Sequence, residues 1–311
     1  MINIIAFHST FIIQNCGLPA GRQACRARII LLLVNVIKMF RIIINIIILV
    51  LLFTFIVFSP QLRRNENKVN YKITSAIENI NKEKIFFGHR SVGNNIIQGI
   101  GEIIYENNAQ KLALQKIENI EKLSGKYFLE ANIGSNGDPK SKIDDFHKIV
   151  DQLAQNEPTI AMMKLCYADI KQNTDKNDIF KYYTEIIDSL HEKYPNLIII
   201  HFTVPLTSKR TILMSIKDFI KARSNSSMLD NIVRNKYNQF LLSKYPADQI
   251  FDLAKIESTY PDGTFEEYSY QGKVYNSLIP EYSDDGGHLN EKGRHIVAEK
   301  FISFMANKII K

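Results

Sequence analysis

The chain has 311 residues, 45% apolar and 23% charged, the proportions of a globular protein large enough for one big domain or two small ones. Its formal net charge of +7 is confined to the N-terminus: residues 1–64 hold seven Lys/Arg and no acid, and the remainder balances 32 basic residues against 32 acidic ones. That balance excludes an electrostatic footprint for nucleic acid, and the three cysteines (Cys16, Cys25, Cys166) have no spacing that suggests zinc or a disulfide framework.

Residues 1–38 show no periodicity and read as a leader, or as a mis-assigned start upstream of Met39. Residues 39–60 read as a transmembrane anchor or signal. Their run Ile42–Phe58 carries no charge and lies at the short end of the roughly 17–25 residues that cross a bilayer. A cleaved signal is the rival, but the small-residue cleavage pattern is missing and Pro60 follows Ser59 directly, which favours an uncleaved anchor. Residues 61–78 read as a polar linker, and residues 79–311 as the globular domain.

Within that domain five apolar runs read as strands: 84–89, 126–134, 159–167, 196–204 and 249–256. Continuous apolar strands imply burial on both faces, as in parallel sheets. Amphipathic stretches lie between them, such as Ile143, Phe146, Val150 and Leu153 at helical spacing; the final helix puts Ile296, Val297, Phe301 and Met305 on one face. The alternation predicts a three-layer α/β/α sandwich around a mostly parallel, five-stranded sheet. Residues 258–287 read as a long Tyr- and Gly-containing loop; its tyrosines (Tyr260, Tyr268, Tyr270, Tyr275, Tyr282) are candidates for a sugar-stacking rim or for packing the loop itself.

Ligands of open parallel sheets sit beyond the carboxyl ends of the strands, so the strand ends hold the candidate residues. The first run ends in "GHRSVGNN", with Ser91 at the turn into a helix. A helix N-terminus offers free N–H groups to an anion, which suits a nucleophilic serine; helix capping is the other use of such a residue. The second ends in "NIGSNGDP", where Gly134 and Gly137 permit close backbone approach, or simply start a helix. The third offers Lys164, Tyr167 and Asp169, with a Lys164–Asp169 ion pair as the structural reading. His201, inside an apolar run, reads as a core histidine. Before the last helix, Asp285 and His288 are spaced so that the carboxylate can hold Nδ1–H and leave Nε2 to face a nucleophile, or so that Asp285 caps the helix and His288 is incidental; Asp284 is a weaker carboxylate candidate.

These segments resemble the SGNH (GDSL-type) serine hydrolase superfamily, in a bacterial branch with FGHxSVG and DGGHLN phrases. Gly88-His89-Arg90-Ser91 is one residue longer than that family's first block; Asn132-Ile133-Gly134-Ser135-Asn136-Gly137-Asp138 is similar to its second; Asp285-Gly286-Gly287-His288 matches its last. The third block departs from the pattern, because Cys166-Tyr167-Ala168-Asp169 has Ala168 where the family has an oxyanion-binding asparagine. The resemblance covers about residues 80–310. It implies a cofactor-free esterase or deacetylase acting on acyl esters, including those of envelope or extracellular carbohydrate; the uncharged run Ile42–Phe58 separately predicts a membrane anchor with the globular part outside the cytoplasm. The resemblance further implies Ser91 as nucleophile, His288 as general base, Asp285 as its orienting carboxylate, and the N–H groups of Ser91 and Gly137 as oxyanion donors. Asn94 is the first candidate to replace the missing asparagine side chain, with Asn95 and Tyr167 as further candidates. Two other readings stand beside it: a non-catalytic, membrane-anchored carbohydrate-binding module on the same fold, and a metal-dependent hydrolase built on His89, His288 and Asp285.

Overall fold

The structure is a computed structural model that describes residues 22–117, 120, 123, 125–154, 157–209 and 226–309. It divides into two compact units, Met1–Lys68 and Val69–Lys311. Residues 1–21 of the expected leader lie outside the described residues.

Helix α1 is assigned over Arg22–Ile80 and takes in residues 61–78, where composition alone suggests a linker. It holds one stretch long and apolar enough to cross a membrane, Leu31–Thr54, 24 residues with mean hydropathy 2.6 and none of it buried. The stretch begins upstream of Met39 because Leu31, Leu32, Leu33, Val34 and Ile37 extend the apolar run toward the N-terminus.

In the second unit the elements follow in the order β1 (Lys84–His89), α2 (Val92–Glu106), β2 (Leu114–Lys116), β3 (Tyr127–Asn132), α3 (Pro139–Leu153), β4 (Ile160–Met163), α4 (Lys176–Lys193), β5 (Ile198–Phe202), α5 (Ser226–Lys244), β6 (Ile250–Phe251), α6 (Leu253–Ser258), β7 (Glu267–Tyr270), β8 (Lys273–Asn276) and α7 (Glu291–Ile309). The main sheet has six strands, not five, in the order β2-β3-β1-β4-β5-β6, and all its pairs are parallel. The added strand, β2, is a three-residue edge strand whose residues are all exposed, so it carries no apolar run to read. The run 249–256 is strand only at Ile250–Phe251 and then turns into α6. The expected loop 258–287 contains an antiparallel hairpin, β7–β8.

Side chains alternate across the sheet. Ile85, Phe87, Phe128 and Met162 meet the end of α1, α2 and α7 on one face. Phe86, Leu129, Ala161 and Met163 meet α3, α4 and α5 on the other. Strand β1 lies between β3 and β4, where the chain's path across the sheet changes direction. Parallel α/β sheets open their ligand crevice at such a switch point, and β1 ends beside Ser91.

Helices α2 and α7 approach closely at Gly99, where an added Cβ would lie 2.5 Å from the Arg294 carbonyl oxygen and 2.8 Å from Ala298 Cβ. A backbone oxygen cannot swing aside, so the clash outweighs alanine's better helix propensity. Gly99→Ala is expected to destabilise the fold by about 1–3 kcal/mol. At Gly101 an added Cβ meets nothing within 4 Å, and Gly101→Ala is expected to stabilise by about 0.5–1 kcal/mol. Thermal melts of the two variants check the opposite signs.

Candidate active site

Strand β1 delivers Ser91 to the first position before α2 with φ 56° and ψ −113°. A serine in this region costs roughly 1–3 kcal/mol and persists only where surrounding contacts impose it. The next turn shows two of them: Gly93 N–H donates to the Arg90 carbonyl at 3.0 Å and Asn94 N–H to the Ser91 carbonyl at 2.8 Å. Gly93 is required by His89, because an added Cβ would lie 2.4 Å from His89 Cβ and 2.7 Å from its Nδ1. The buried His89 ring is in turn held by Glu130, Nε2 to Oε2 3.1 Å. Burial pulls its pKa below the ordinary histidine value, although the Glu130 contact opposes this.

Ser91 makes no capping bond to its helix. Its Oγ lies 2.7 Å from His288 Nε2, across 197 residues of sequence. His288 Nδ1 lies 2.6 Å from Asp285 Oδ2. Asp285 Oδ1 meanwhile accepts from the N–H groups of Gly287 at 2.9 Å and His288 at 2.7 Å. The carboxylate therefore builds the turn and holds the imidazole at once, so the two readings of this aspartate are both realised. Partial burial raises the Asp285 carboxyl's pKa, but the His288 and backbone hydrogen bonds more than reverse this and leave it below the ordinary carboxylate range. Asp284 bonds Asn290 Nδ2 at 3.0 Å.

Two contacts set His288 against the nucleophile. Leu289 N–H donates to Asn95 Oδ1 at 3.1 Å, tying the histidine turn to α2. Tyr167, from the loop after β4, puts its hydroxyl 3.4 Å from both ring nitrogens of His288, and the two rings meet edge to face. The second glycine of the turn makes room for it, since a Cβ at Gly287 would lie 2.8 Å from Tyr167 Cζ. Beneath, buried Arg234 donates Nε–H to the Tyr167 carbonyl at 3.0 Å and sits 5.8 Å from the tyrosine ring centroid. Burial, then the Asp285 charge, raises the Tyr167 pKa, so the hydroxyl keeps its proton and remains a donor at neutral pH.

Two expected placements change. Gly137 N–H, read as an oxyanion donor, donates instead to Asp169 Oδ1 at 2.8 Å, because that carboxylate is drawn into the loop by the buried Lys142 ammonium at 2.6 Å. Lys142, missed from sequence, replaces Lys164 as the partner of Asp169; Lys164 bonds the Leu165 carbonyl at 3.1 Å. The signal for Lys142 was a lysine on the buried side of an amphipathic helix, one position before Ile143. Asn94 is exposed, and Asn95 Oδ1 accepts from Leu289 N–H, which leaves the donor side of both amides uncommitted among the described residues.

His201 is buried as expected, with Nδ1 2.6 Å from the Tyr183 hydroxyl, and burial lowers its pKa to about 3. Of the tyrosines before the final turn, Tyr268 and Tyr282 are buried, and Tyr260 donates to Glu266 at 2.7 Å. These three pack the loop; Tyr270 is exposed. His89 and His288 sit in separate hydrogen-bonded pairs, and no group of three metal-ligating side chains comes together among the described residues.

Solved structures to which this chain is similar include the lipopolysaccharide acetyltransferase periplasmic domain of Salmonella ser. Paratyphi A (16% identity, covering 74% of this chain and 84% of that one, TM-score 0.41). The psychrotrophic esterase EstA of Pseudoalteromonas sp. is similar at 9% identity over 74% of this chain and 100% of that one, TM-score 0.41. A carbohydrate esterase family 3 protein of Talaromyces cellulolyticus is similar at 13% identity over 73% and 97%, TM-score 0.40. No curated protein sequence matches this one. The model of the GDSL-like lipase/acylhydrolase family matches residues 67–301. That match runs from within α1 into α7 and takes in Ser91, Tyr167, Asp285 and His288 alike: the chain belongs to the GDSL-like lipase/acylhydrolase family.

Proposed function

We propose that this protein is a serine esterase that cleaves acyl esters through Ser91, His288 and Asp285. The observation that carries the reading is the Ser91 Oγ–His288 Nε2 contact of 2.7 Å, continued by His288 Nδ1–Asp285 Oδ2 at 2.6 Å. A hydroxyl is a poor nucleophile until a base takes its proton as it attacks. In the proposed cycle Ser91 Oγ adds to the acyl carbonyl carbon and its proton passes to Nε2. Asp285 fixes the Nδ1–H tautomer and stabilises the imidazolium. His288 then hands the proton to the departing alcohol oxygen, leaving an acyl-serine. Water, deprotonated by the same nitrogen, adds to that ester and releases the acid with Ser91 restored.

The tetrahedral intermediate carries an oxyanion that needs donors. Ser91 N–H, at the start of α2, has no acceptor among the described residues and is one donor. We assign Tyr167 O–H as the second, in place of Asn94. The stretch Leu31–Thr54 supports a membrane anchor or signal, and our reading places the catalytic domain outside the cytoplasm, with esters of envelope or extracellular carbohydrate as its substrates.

A membrane-impermeant fluorophosphonate tests the whole reading. It phosphonylates only a serine made nucleophilic by its base. Labelling is expected for the purified wild type, for wild type on intact cells, and not for Ser91→Ala. Absence of label on purified wild type would falsify the esterase and favour the non-catalytic module. Label on purified protein and on lysed but not intact cells would overturn the extracytoplasmic placing.

A further inference from the structure

Arg90 stands directly before the nucleophile, and its side chain crosses from β1 to β3. Its Nε–H donates to the Ile133 carbonyl at 2.9 Å, which lays the guanidinium over the carboxyl end of β3, the edge of the sheet where Ser91 also lies. Its carbonyl is occupied as well, accepting from Gly93 N–H at 3.0 Å and from the Cys166 thiol at 3.5 Å. Backbone and Nε are thus fixed, and the residue is only half-buried.

The outer two nitrogens of the fork, Nη1 and Nη2, have no hydrogen-bond or ion-pair partner among the described residues. The other arginines described in this unit are satisfied. Arg234 reaches Asn231, Thr207 and Asp230. Arg294 holds the Glu102 carboxylate by two contacts from Nε, at 2.9 and 2.8 Å, and one from Nη2 at 2.7 Å. A guanidinium is permanently charged and presents paired N–H groups that match a carboxylate or phosphate. Pinning Nε in advance removes part of the entropy that ordering a long side chain costs on binding.

We propose that Arg90 binds an anionic group, carboxylate or phosphate, which the ester substrate carries close to its scissile carbonyl. The proposal rests on the esterase reading above and narrows its substrate class to acidic esters. A charge-assisted pair of this kind discriminates by about 10- to 100-fold between a ligand that has the anion and one that lacks it.

Two matched pairs of esters separate the places the anion could be. One pair carries it on the acyl side (4-nitrophenyl hydrogen glutarate against 4-nitrophenyl pentanoate); the other carries it on the alcohol side (acetylated glycerol 3-phosphate against acetylated glycerol). Full-length wild type is expected to favour the anionic member of one pair by at least about 10-fold in kcat/KM. In Arg90→Gln, with an unchanged melting temperature, that preference should collapse toward unity; Arg90→Lys should recover part of it. Equal kcat/KM within both pairs overturns the proposal. So does an equal loss on neutral and anionic members in Arg90→Gln, which would place Arg90 on the oxyanion instead. Calorimetric titration with glutarate and with inorganic phosphate reads the site without turnover: binding to wild type that Arg90→Gln loses supports it, and no binding to wild type overturns it. Failure to hydrolyse any of the four esters is a separate result and counts against the esterase itself.

Discussion

Ser91→Ala and His288→Ala are each expected to lower ester turnover by about a million-fold, to whatever rate the oxyanion donors sustain alone. The size follows from the chain of contacts. Oγ, Nε2, Nδ1 and Oδ2 are linked by distances of 2.7 and 2.6 Å, so each group works only through the next. Groups that act as a unit are not additive, and the double variant should be little slower than either single one. Asp285 needs more care. Alanine would also release the Gly287 and His288 N–H groups and so deform the turn. Asp285→Asn keeps an oxygen for those donors and removes only the charge and the tautomer control. Its expected loss is about 10⁴-fold. Pre-steady-state acylation, followed by release of the leaving alcohol, isolates the step. A folded Ser91→Ala variant that turns over at even a tenth of the wild-type rate would remove Ser91 as the nucleophile.

Much of this was legible in the sequence, and the reason is local. Strands β1, β3, β4 and β5 are buried over most of their length, so each leaves a mainly apolar run, interrupted only at Glu130 in β3 and His201 in β5. The glycines beside Ser91 and His288 stood out as motif positions, although what they make room for was not visible: His89 behind Gly93 and Tyr167 behind Gly287. What failed to read was either exposed or distant. Strand β2 has no buried residue, and the β7–β8 hairpin is mostly solvated, so neither carries a hydrophobic period. In the sequence alone Lys164, five residues away, reads as the ion-pair partner of Asp169, because it is the nearer lysine at a buried strand's end. The structure chooses Lys142, 27 residues away, since α3 brings its ammonium under the loop while Lys164 turns to a carbonyl beside it. Likewise nothing near Asn95 in sequence points to the group its Oδ1 accepts from, the N–H of Leu289, 194 residues on.

The oxyanion donor is where sequence and structure part most usefully. Ala168 has no side-chain donor, and Gly137 N–H is already given to Asp169. Tyr167 puts a hydroxyl at the reacting atoms. Its hydroxyl is 3.4 Å from both His288 nitrogens, longer than a good hydrogen bond, and it meets the Ser91 side chain as well, so in the resting site it lies at the nucleophile itself. It is also aimed in advance: Arg234 holds its carbonyl, and Gly287 leaves space for its ring. A donor already in place pays no reorganisation as charge develops on the substrate oxygen. Tyr167→Phe removes that one O–H and keeps the ring that packs on His288. It is expected to lower kcat about 100- to 1000-fold, with KM nearly unchanged, because the bond is made only when the carbonyl becomes tetrahedral. Asn94→Ala should stay within about twofold of wild type, as befits an exposed side chain outside the reaction. Steady-state kinetics on one neutral ester decides between the two residues. A Tyr167→Phe enzyme that keeps its kcat would reduce the tyrosine to a packing role, and a large loss in folded Asn94→Ala would return the donor to that asparagine.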